Sequence, residues 1–126
     1  MTENNNIVQD DIASSRALAV DIADIIAETP AADTKVIDIH QVSTVADVFV
    51  ICSGDNERQL RAIYRSVIDE MGEKGIEPKR TEGETTSGWM LIDYGDVVVH
   101  IFDKDLRTFY DLEGRWESAP ILLSIL

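Results

Sequence analysis

Two runs of hydrophobic residues on either side of a two-residue link form the strongest pattern in this chain. The runs cover residues 89–94 and 97–102, and Gly95 and Asp96 separate them. Both runs are rich in β-branched and aromatic residues, and glycine tolerates the positive φ that a tight II′ turn needs at its first central position. The pattern predicts a β-hairpin in which Tyr94 lies opposite Val97.

The register of this hairpin divides its side chains between two faces, because residues paired across strands share a face. One face is almost entirely aliphatic and is expected to lie under helices: Met90, Ile92, Tyr94, Val97, Val99 and Ile101. The other, which we call the mixed face, combines apolar and polar residues: Trp89, Leu91, Asp93, Val98, His100 and Phe102.

Two interpretations of the mixed face stay open. In the first, a second layer covers it, so that His100 is a hydrogen-bonded interior histidine and Asp93 lies at the rim. In the second, the face binds a partner, because the cores of protein interfaces are enriched in aromatic residues while staying partly polar. The sequence pattern does not choose between them.

Apolar residues at helical spacing predict two amphipathic helices. The first begins at Ser14 or Ser15 as N-cap and ends near Glu28. The second has Asp55 or Asn56 as its N-cap, and its apolar stripe consists of Leu60, Ile63, Tyr64, Val67, Ile68 and Met71.

The remaining pattern predicts three further strands and a short last helix. The strands cover residues 34–39, 47–52 and 78–82, and the unbroken apolar run at 47–52 suits a central strand covered on both faces. The last helix follows Phe102 and is expected to end at Gly114. The element order α-β-β-α-β-β-β-α predicts an α/β fold, a mixed β-sheet with packed helices.

The domain organisation follows from length and polarity. The chain has 126 residues, enough for one domain with a core of its own. We expect a disordered N-terminal lead over residues 1–12, a domain over residues 13–120 and an apolar C-terminal tail over residues 121–126. The tail is expected to pack on the domain or on a second subunit, because such a segment left bare would promote association.

The charge favours a basic partner. Acidic residues number 24 against 11 basic ones, which gives a net charge of −13. Such a surface repels phosphate backbones, so direct sequence-specific binding of nucleic acid is disfavoured. A basic protein partner suits this charge, because long-range attraction raises the rate of encounter.

Several features indicate a cytoplasmic protein. No apolar run approaches the length of a membrane span, so no membrane association is expected. The first residues lack the basic and apolar regions of a secretory signal. Cys52 is the single cysteine, which permits no internal disulfide, and its place in an apolar strand predicts that it behaves as a small hydrophobic residue.

The residues suggest no catalytic or metal centre. Ser53 has no histidine at a suggestive position, and His40 and His100 are isolated in the sequence. Asp93 and Asp96 lie on either side of a turn, so their carboxylates are expected to diverge. We therefore expect no catalytic residue, no cofactor and no metal.

One alternative stays open at the turn formed by Ser53 and Gly54. A strand, a Ser-Gly turn and a helix can bind an anion, and nucleotidyltransferase sites are arranged in this way around divalent metal. However, Asp55 and Glu57 would repel a phosphate, and neither a Walker pattern nor a G-x-G-x-x-G motif is present. Ordinary capping is favoured, and a nucleotide-dependent nucleotidyltransferase-like enzyme is the alternative function.

Four sequence blocks together resemble a known family. They are DVFVICSGDNERQ at residues 47–59, EG at 82–83, W at 89 with DYGDVVVHIF at 93–102, and RTFYDLE at 107–113 with W at 116. In this order they resemble the ribosomal silencing factor family, RsfS, also called Iojap or YbeB, over roughly residues 13–120. The resemblance implies a nucleotidyltransferase-like α/β fold without catalytic activity.

The resemblance also implies a function and a partner. Family members bind the large ribosomal subunit through ribosomal protein fourteen (uL-type) and block joining of the small subunit. Translation is thereby repressed when nutrients are scarce or while the large subunit matures. Homodimers are also a feature of the family.

Carried over to this chain, the resemblance implies a set of partner-binding residues: Trp89, Leu91, Asp93, His100, Tyr110 and Glu113. The chain departs from the family where Gly114 and Arg115 replace a larger residue and a leucine before Trp116. The apolar tail lies beyond the family blocks.

Overall fold

The first helix of the molecule packs against one face of a β-sheet. The structure is a computed structural model that describes the backbone of residues 2–126 and the side chains of residues 11–126. Helix α1 spans Thr2–Ala27, so the predicted N-cap at Ser14 or Ser15 is wrong. Ser15 lies inside the helix and its hydroxyl donates to Asp47 Oδ2 at 2.9 Å. The predicted disorder of residues 1–12 falls mostly outside the described side chains and stays a prediction.

Within the described residues, six strands form one mixed sheet in the order β3-β4-β5-β2-β1-β6. Strands β2 and β5 are parallel, and the other neighbouring pairs are antiparallel. The strands are β1 (Ala32–Asp38), β2 (Val48–Gly54), β3 (Arg80–Glu82), β4 (Trp89–Asp93), β5 (Val97–Asp103) and β6 (Ile121–Ile125).

The predicted hairpin is confirmed as strands β4 and β5. Its register runs from Trp89 opposite Phe102 to Asp93 opposite Val98. The Tyr94 amide donates to the Val97 carbonyl at 2.9 Å. Gly95 has a φ of +95°, the backbone conformation for which glycine was expected at this turn.

Strand β2 lies at the centre of the sheet, as its apolar run predicts. All seven of its residues are buried, because helices cover one face and the C-terminal segment covers the other. Helix α2 (Glu57–Glu73) follows, and Asn56 caps it by accepting a hydrogen bond from the Gln59 amide at 2.9 Å. The predicted α2 stripe packs with α1 on the aliphatic face of the hairpin, and this forms the main core.

The C-terminal region differs from the prediction. One helix ending at Gly114 was expected, but the structure has α3 (Lys104–Tyr110) and α4 (Leu112–Arg115). Asp111 separates them with a left-handed φ of +45°, and its carboxylate caps α4 by accepting from the Gly114 amide. The apolar tail then forms β6, an edge strand antiparallel to β1, so the predicted element order gains α4 and β6.

In the part of the chain that the structure describes, no helix is both long and apolar enough to cross a membrane.

Candidate functional site

The mixed face of the hairpin is covered along β5 and partly open along β4. A second, smaller core lies on this face, and residues of β1, β2, α3, α4 and the segment before β6 contribute to it. Phe102 is fully buried and His100 is 4% exposed, whereas Trp89 and Leu91 are only partly buried. The first interpretation is therefore confirmed for His100, which is interior and hydrogen-bonded, while partner binding by the partly buried side chains of β4 stays a prediction.

Trp89 lies at the boundary between these two parts. Its indole stacks on Phe102 with ring centroids 4.9 Å apart, and Tyr110 lies 4.7 Å from it, centroid to centroid. The indole Nε1 donates a hydrogen bond to His100 Nδ1 at 3.2 Å. The ring of Trp89 is thus held by two aromatic contacts and one hydrogen bond.

His100 is a neutral histidine in the interior. Burial lowers its pKa from 6.5 to about 4, because the protein interior disfavours the charged imidazolium. Indole nitrogen only donates, so His100 Nδ1 is the acceptor and the ring proton is on Nε2. Nε2 is buried and has no hydrogen-bond partner among the described residues. The predicted direct contact between His100 and a partner therefore needs correction, since the ring lies beneath Trp89.

Two neighbouring aromatic residues extend the partly open side of the mixed face beyond Trp89. Tyr110 is 44% exposed and Phe109 is 78% exposed, and their rings meet edge to face with centroids 5.1 Å apart. We call Trp89, Phe109 and Tyr110 the aromatic patch. Phe109 was missed in the sequence, although two consecutive aromatic residues in a short helix cannot both point to one core.

An open pocket adjoins the aromatic patch. It has a volume of about 280 Å³ and is lined by Glu82, Gly83, Trp89 and Leu91. Gly83 has a φ of +82°, and a Cβ there would lie 2.1 Å from the carbonyl oxygen of Trp89. Only glycine fits this position, so the backbone of this wall lies directly against Trp89.

Asp93 lies at the rim, as one interpretation expected. Its carboxylate accepts hydrogen bonds from Arg80 Nε at 3.1 Å and from the Gly95 amide at 2.7 Å, and its side chain is 19% exposed. The residue therefore fastens the hairpin turn to the edge strand β3.

Glu113 lies in a different environment from the other predicted contact residues. Burial opposes its ionisation, but hydrogen bonds and charge from Arg107 and Lys35 outweigh burial and lower the pKa of Glu113. It lines an open cavity of about 800 Å³ together with Arg107, Lys35 and Ser53. The structure thus brings Trp89, Leu91 and Tyr110 together and places Glu113 in an internal ion-pair cluster.

Ser53 has its hydrogen bonds satisfied inside the protein. Its hydroxyl donates to the Ala32 carbonyl at 3.3 Å and accepts from Arg107 Nη1 at 3.0 Å, and the residue is 2% exposed. Beside it, burial raises the pKa of the Cys52 thiol to about 12, which suits a small hydrophobic residue. Within residues 11–126, no group of three or more His, Cys, Asp or Glu side chains is placed to hold a metal ion.

Comparisons with known proteins agree on one family. Residues 12–124 match the family model described as "Ribosomal silencing factor during starvation". The chain is 45% identical over 91 residues to a ribosomal silencing factor RsfS of Bacillus subtilis, covering 72% of this chain and 77% of the relative. It is 43% identical over 103 residues to that of Halalkalibacterium halodurans, covering 82% and 86%. A crystal structure from Bacillus halodurans matches with a TM-score of 0.74 and 36% identity over 86% of this chain and 98% of that one.

Proposed function

This chain belongs to the ribosomal silencing factor family, and from that premise we propose that it binds the large ribosomal subunit through ribosomal protein fourteen. Bound there, it sterically blocks joining of the small subunit and so represses translation, when nutrients are scarce or while the large subunit matures. The observation that carries the proposal is the aromatic patch, in which exposed Phe109 and Tyr110 lie beside the half-buried Trp89.

The aromatic patch has the composition of an interface core. Binding energy in protein interfaces is concentrated in a few residues, and tryptophan and tyrosine are enriched among them. Phe109 and Tyr110 are exposed, although their rings are apolar, and Leu91 continues the surface on the other side of Trp89. We assign Trp89, Leu91, Tyr110 and Phe109 as the contact residues.

Acidic side chains border this surface. Glu82 lines the pocket with Trp89, and Asp93 lies further along the same strand pair. Arg80 is ion-paired with both carboxylates, which leaves an excess of one negative charge there. The net charge of −13 adds a long-range field that attracts a basic ribosomal protein. Asp93 is thereby assigned a role at the rim, where charge speeds encounter more than it strengthens the bound state.

The proposed mechanism needs no catalysis. A factor that stands between two subunits requires a contact surface and bulk, and both are supplied by the folded domain. At the turn where a nucleotide site was considered, the Ser53 hydroxyl is buried, donates to Ala32 and accepts from Arg107. We propose that the protein has a nucleotidyltransferase-like fold, lacks catalytic activity and acts in the cytoplasm.

The free protein is proposed to be a homodimer, and β6 is the element that supports this. The strand pairs with β1 on one side, and it carries no charged residue between Ile121 and Leu126. Ile121 is 57% exposed and Leu122 is 38% exposed. An uncharged edge strand can pair with the same strand of a second copy without bringing like charges together.

Two experiments test the main proposal. Co-sedimentation with isolated large subunits measures binding, and light scattering of mixed subunits measures joining. Wild-type protein is expected to co-sediment and to reduce joining in proportion to occupancy. Wild-type protein that fails to bind the large subunit would refute the function.

Phe109→Ala tests the aromatic patch, because its exposed ring is removed at little cost to folding. We expect affinity for the large subunit to fall about tenfold or more, as for a contact worth over 1 kcal/mol. Val45→Ala is the matched control, since Val45 is 74% exposed outside the patch. Equal binding by the two variants would show that the contact surface lies elsewhere, without contradicting the proposed function.

A further inference from the structure

We infer that His100 is a positioning residue for the binding surface: it accepts the indole hydrogen of Trp89 and so selects the ring orientation that Trp89 presents to the partner. The inference rests on the proposed function. It assigns His100 a role although its ring, at 4% exposure, lies too deep to touch a partner itself.

The aromatic contacts of Trp89 restrain the plane of its ring without distinguishing its two edges. Stacking on Phe102 and packing against Tyr110 act on the rings and do not use the Nε1 hydrogen. The terminal side-chain torsion of tryptophan has two broad wells, which are related by turning the ring over. The hydrogen bond from Nε1 to His100 Nδ1 forms in only one of the two orientations. His100 therefore decides which edge of the indole faces the pocket.

The pocket wall depends on this choice. Trp89 and Leu91 line it together, and Leu91 is the cross-strand partner of His100 on the same face. An indole that had turned over would place a different edge beside Leu91 and Glu82. His100, which lies beneath the surface, thus determines the shape of the pocket wall that the partner contacts.

A packing role alone does not account for a histidine here. Its Nε2–H is buried without a partner among the described side chains of residues 11–126, and an unsatisfied buried donor is unfavourable for folding. Phe49, whose ring centroid lies 4.6 Å away, makes an apolar neighbour. A leucine would fill such a site without leaving a donor unsatisfied. The property of histidine that leucine lacks is the acceptor at Nδ1, which binds the indole hydrogen of Trp89.

Two substitutions separate the acceptor from the packing. His100→Asn retains an oxygen close to the position of Nδ1, whereas His100→Leu removes the acceptor and keeps an apolar side chain. The full chain labelled with ¹⁵N-tryptophan gives two indole signals, one from Trp89 and one from Trp116, and Trp116→Phe assigns them. We expect the Trp89 indole proton to be shifted downfield and protected from exchange in wild type and His100→Asn, and to lose both properties in His100→Leu.

Binding to purified ribosomal protein fourteen is measured on the same samples, after circular dichroism shows each to be folded. We expect His100→Leu to bind about tenfold more weakly than wild type, as for the loss of one hydrogen bond that orders a contact residue, and His100→Asn to restore most of the affinity. Equal affinity of both variants, or an unchanged indole signal in His100→Leu, would overturn the positioning role. Absence of binding by wild type would instead refute the function, together with the inference that rests on it.

Discussion

Arg107 binds Glu113 through two hydrogen bonds, 2.7 Å from Nε to Oε1 and 3.2 Å from Nη2 to Oε2. Lys35 Nζ adds a third at 3.1 Å. The cluster joins α3 and α4 to each other and to β1, and α3 also carries Phe109 and Tyr110 of the aromatic patch. Glu113 was predicted as a contact residue, and the structure places it in an ion-pair cluster that holds the helix carrying Phe109 and Tyr110.

Glu113→Gln is expected to lower the free energy of unfolding by about 1 to 3 kcal/mol, because Arg107 and Lys35 lose the charge that they surround. Urea denaturation measures the effect. Glu117→Gln is the control, since Glu117 is exposed and lies four residues further along the chain. Equal stability of the two variants would show that the ion-pair cluster contributes nothing to folding.

Acid is expected to weaken the fold through two carboxylates. Burial opposes the ionisation of Asp38, but His40 and Arg16 lower its pKa, and the pKa of Glu113 is lowered as described above. A carboxyl whose pKa is lowered by folding takes up its proton more readily in the unfolded chain, so acid favours unfolding. The stabilisation is complete above the ordinary pKa values of 3.8 for Asp38 and 4.5 for Glu113. It is lost as pH falls through the lowered pKa values of the folded protein. Urea titrations between pH 5 and about 2.5 should show this loss, with a shallower slope in Glu113→Gln.

His100 predicts a separate pH dependence at higher pH. Its pKa is lowered from 6.5 to about 4 by burial, so between these values the unfolded chain binds a proton that the folded chain does not. Stability should fall by roughly 3 kcal/mol as pH decreases across this window. His100→Asn has no titrating ring and should lose this slope. A slope that persists in the variant would assign it to another group.

Nucleotide binding is expected to be absent. Calorimetry with nucleoside triphosphates and magnesium at millimolar concentration should give no saturable heat, because the Ser53 hydroxyl is occupied by Arg107 and Ala32. Saturable, magnesium-dependent heat that disappears in Ser53→Ala would support the nucleotidyltransferase alternative.

Leu122→Lys is expected to convert the proposed dimer to a monomer, because a charge on an edge strand blocks pairing with a second strand. Light scattering should give twice the 14.0 kDa chain mass for wild type and that mass once for the variant. Val45→Lys, an equivalent change on another exposed surface, should stay dimeric. A wild-type monomer would contradict the dimer, and a dimeric Leu122→Lys would move its interface away from β6.

The sequence predicted the hairpin down to its register because that register depends on local properties. A period of two along each run and a glycine at the turn decide which residues pair. The same holds for α2, whose N-cap Asn56 and apolar stripe lie within one short segment. The aliphatic face of the hairpin was also placed correctly in the core.

The features that the sequence did not predict depend on distant parts of the chain. Ser15 resembles an N-cap, but in the structure its hydroxyl contacts Asp47, 32 residues away. Strand β6 lacks an alternating pattern and is defined by its pairing with β1. The burial of His100 depends on Phe49 and on the C-terminal cover, neither of which can be identified from the hairpin itself.

The parallel pairing of β2 with β5 has a consequence for how the molecule assembles. The hairpin of β4 and β5 forms from neighbours in sequence, whereas joining β5 to β2 closes a loop that includes all of α2 and is entropically slower. His100 lies on one side of this junction and Phe49 on the other, 4.6 Å apart. The contacts of Trp89 with Phe102 and His100 can therefore form within the hairpin, whereas Phe49 reaches His100 only once β2 and β5 have paired. We expect the proposed binding surface to be fully supported only when the sheet is complete.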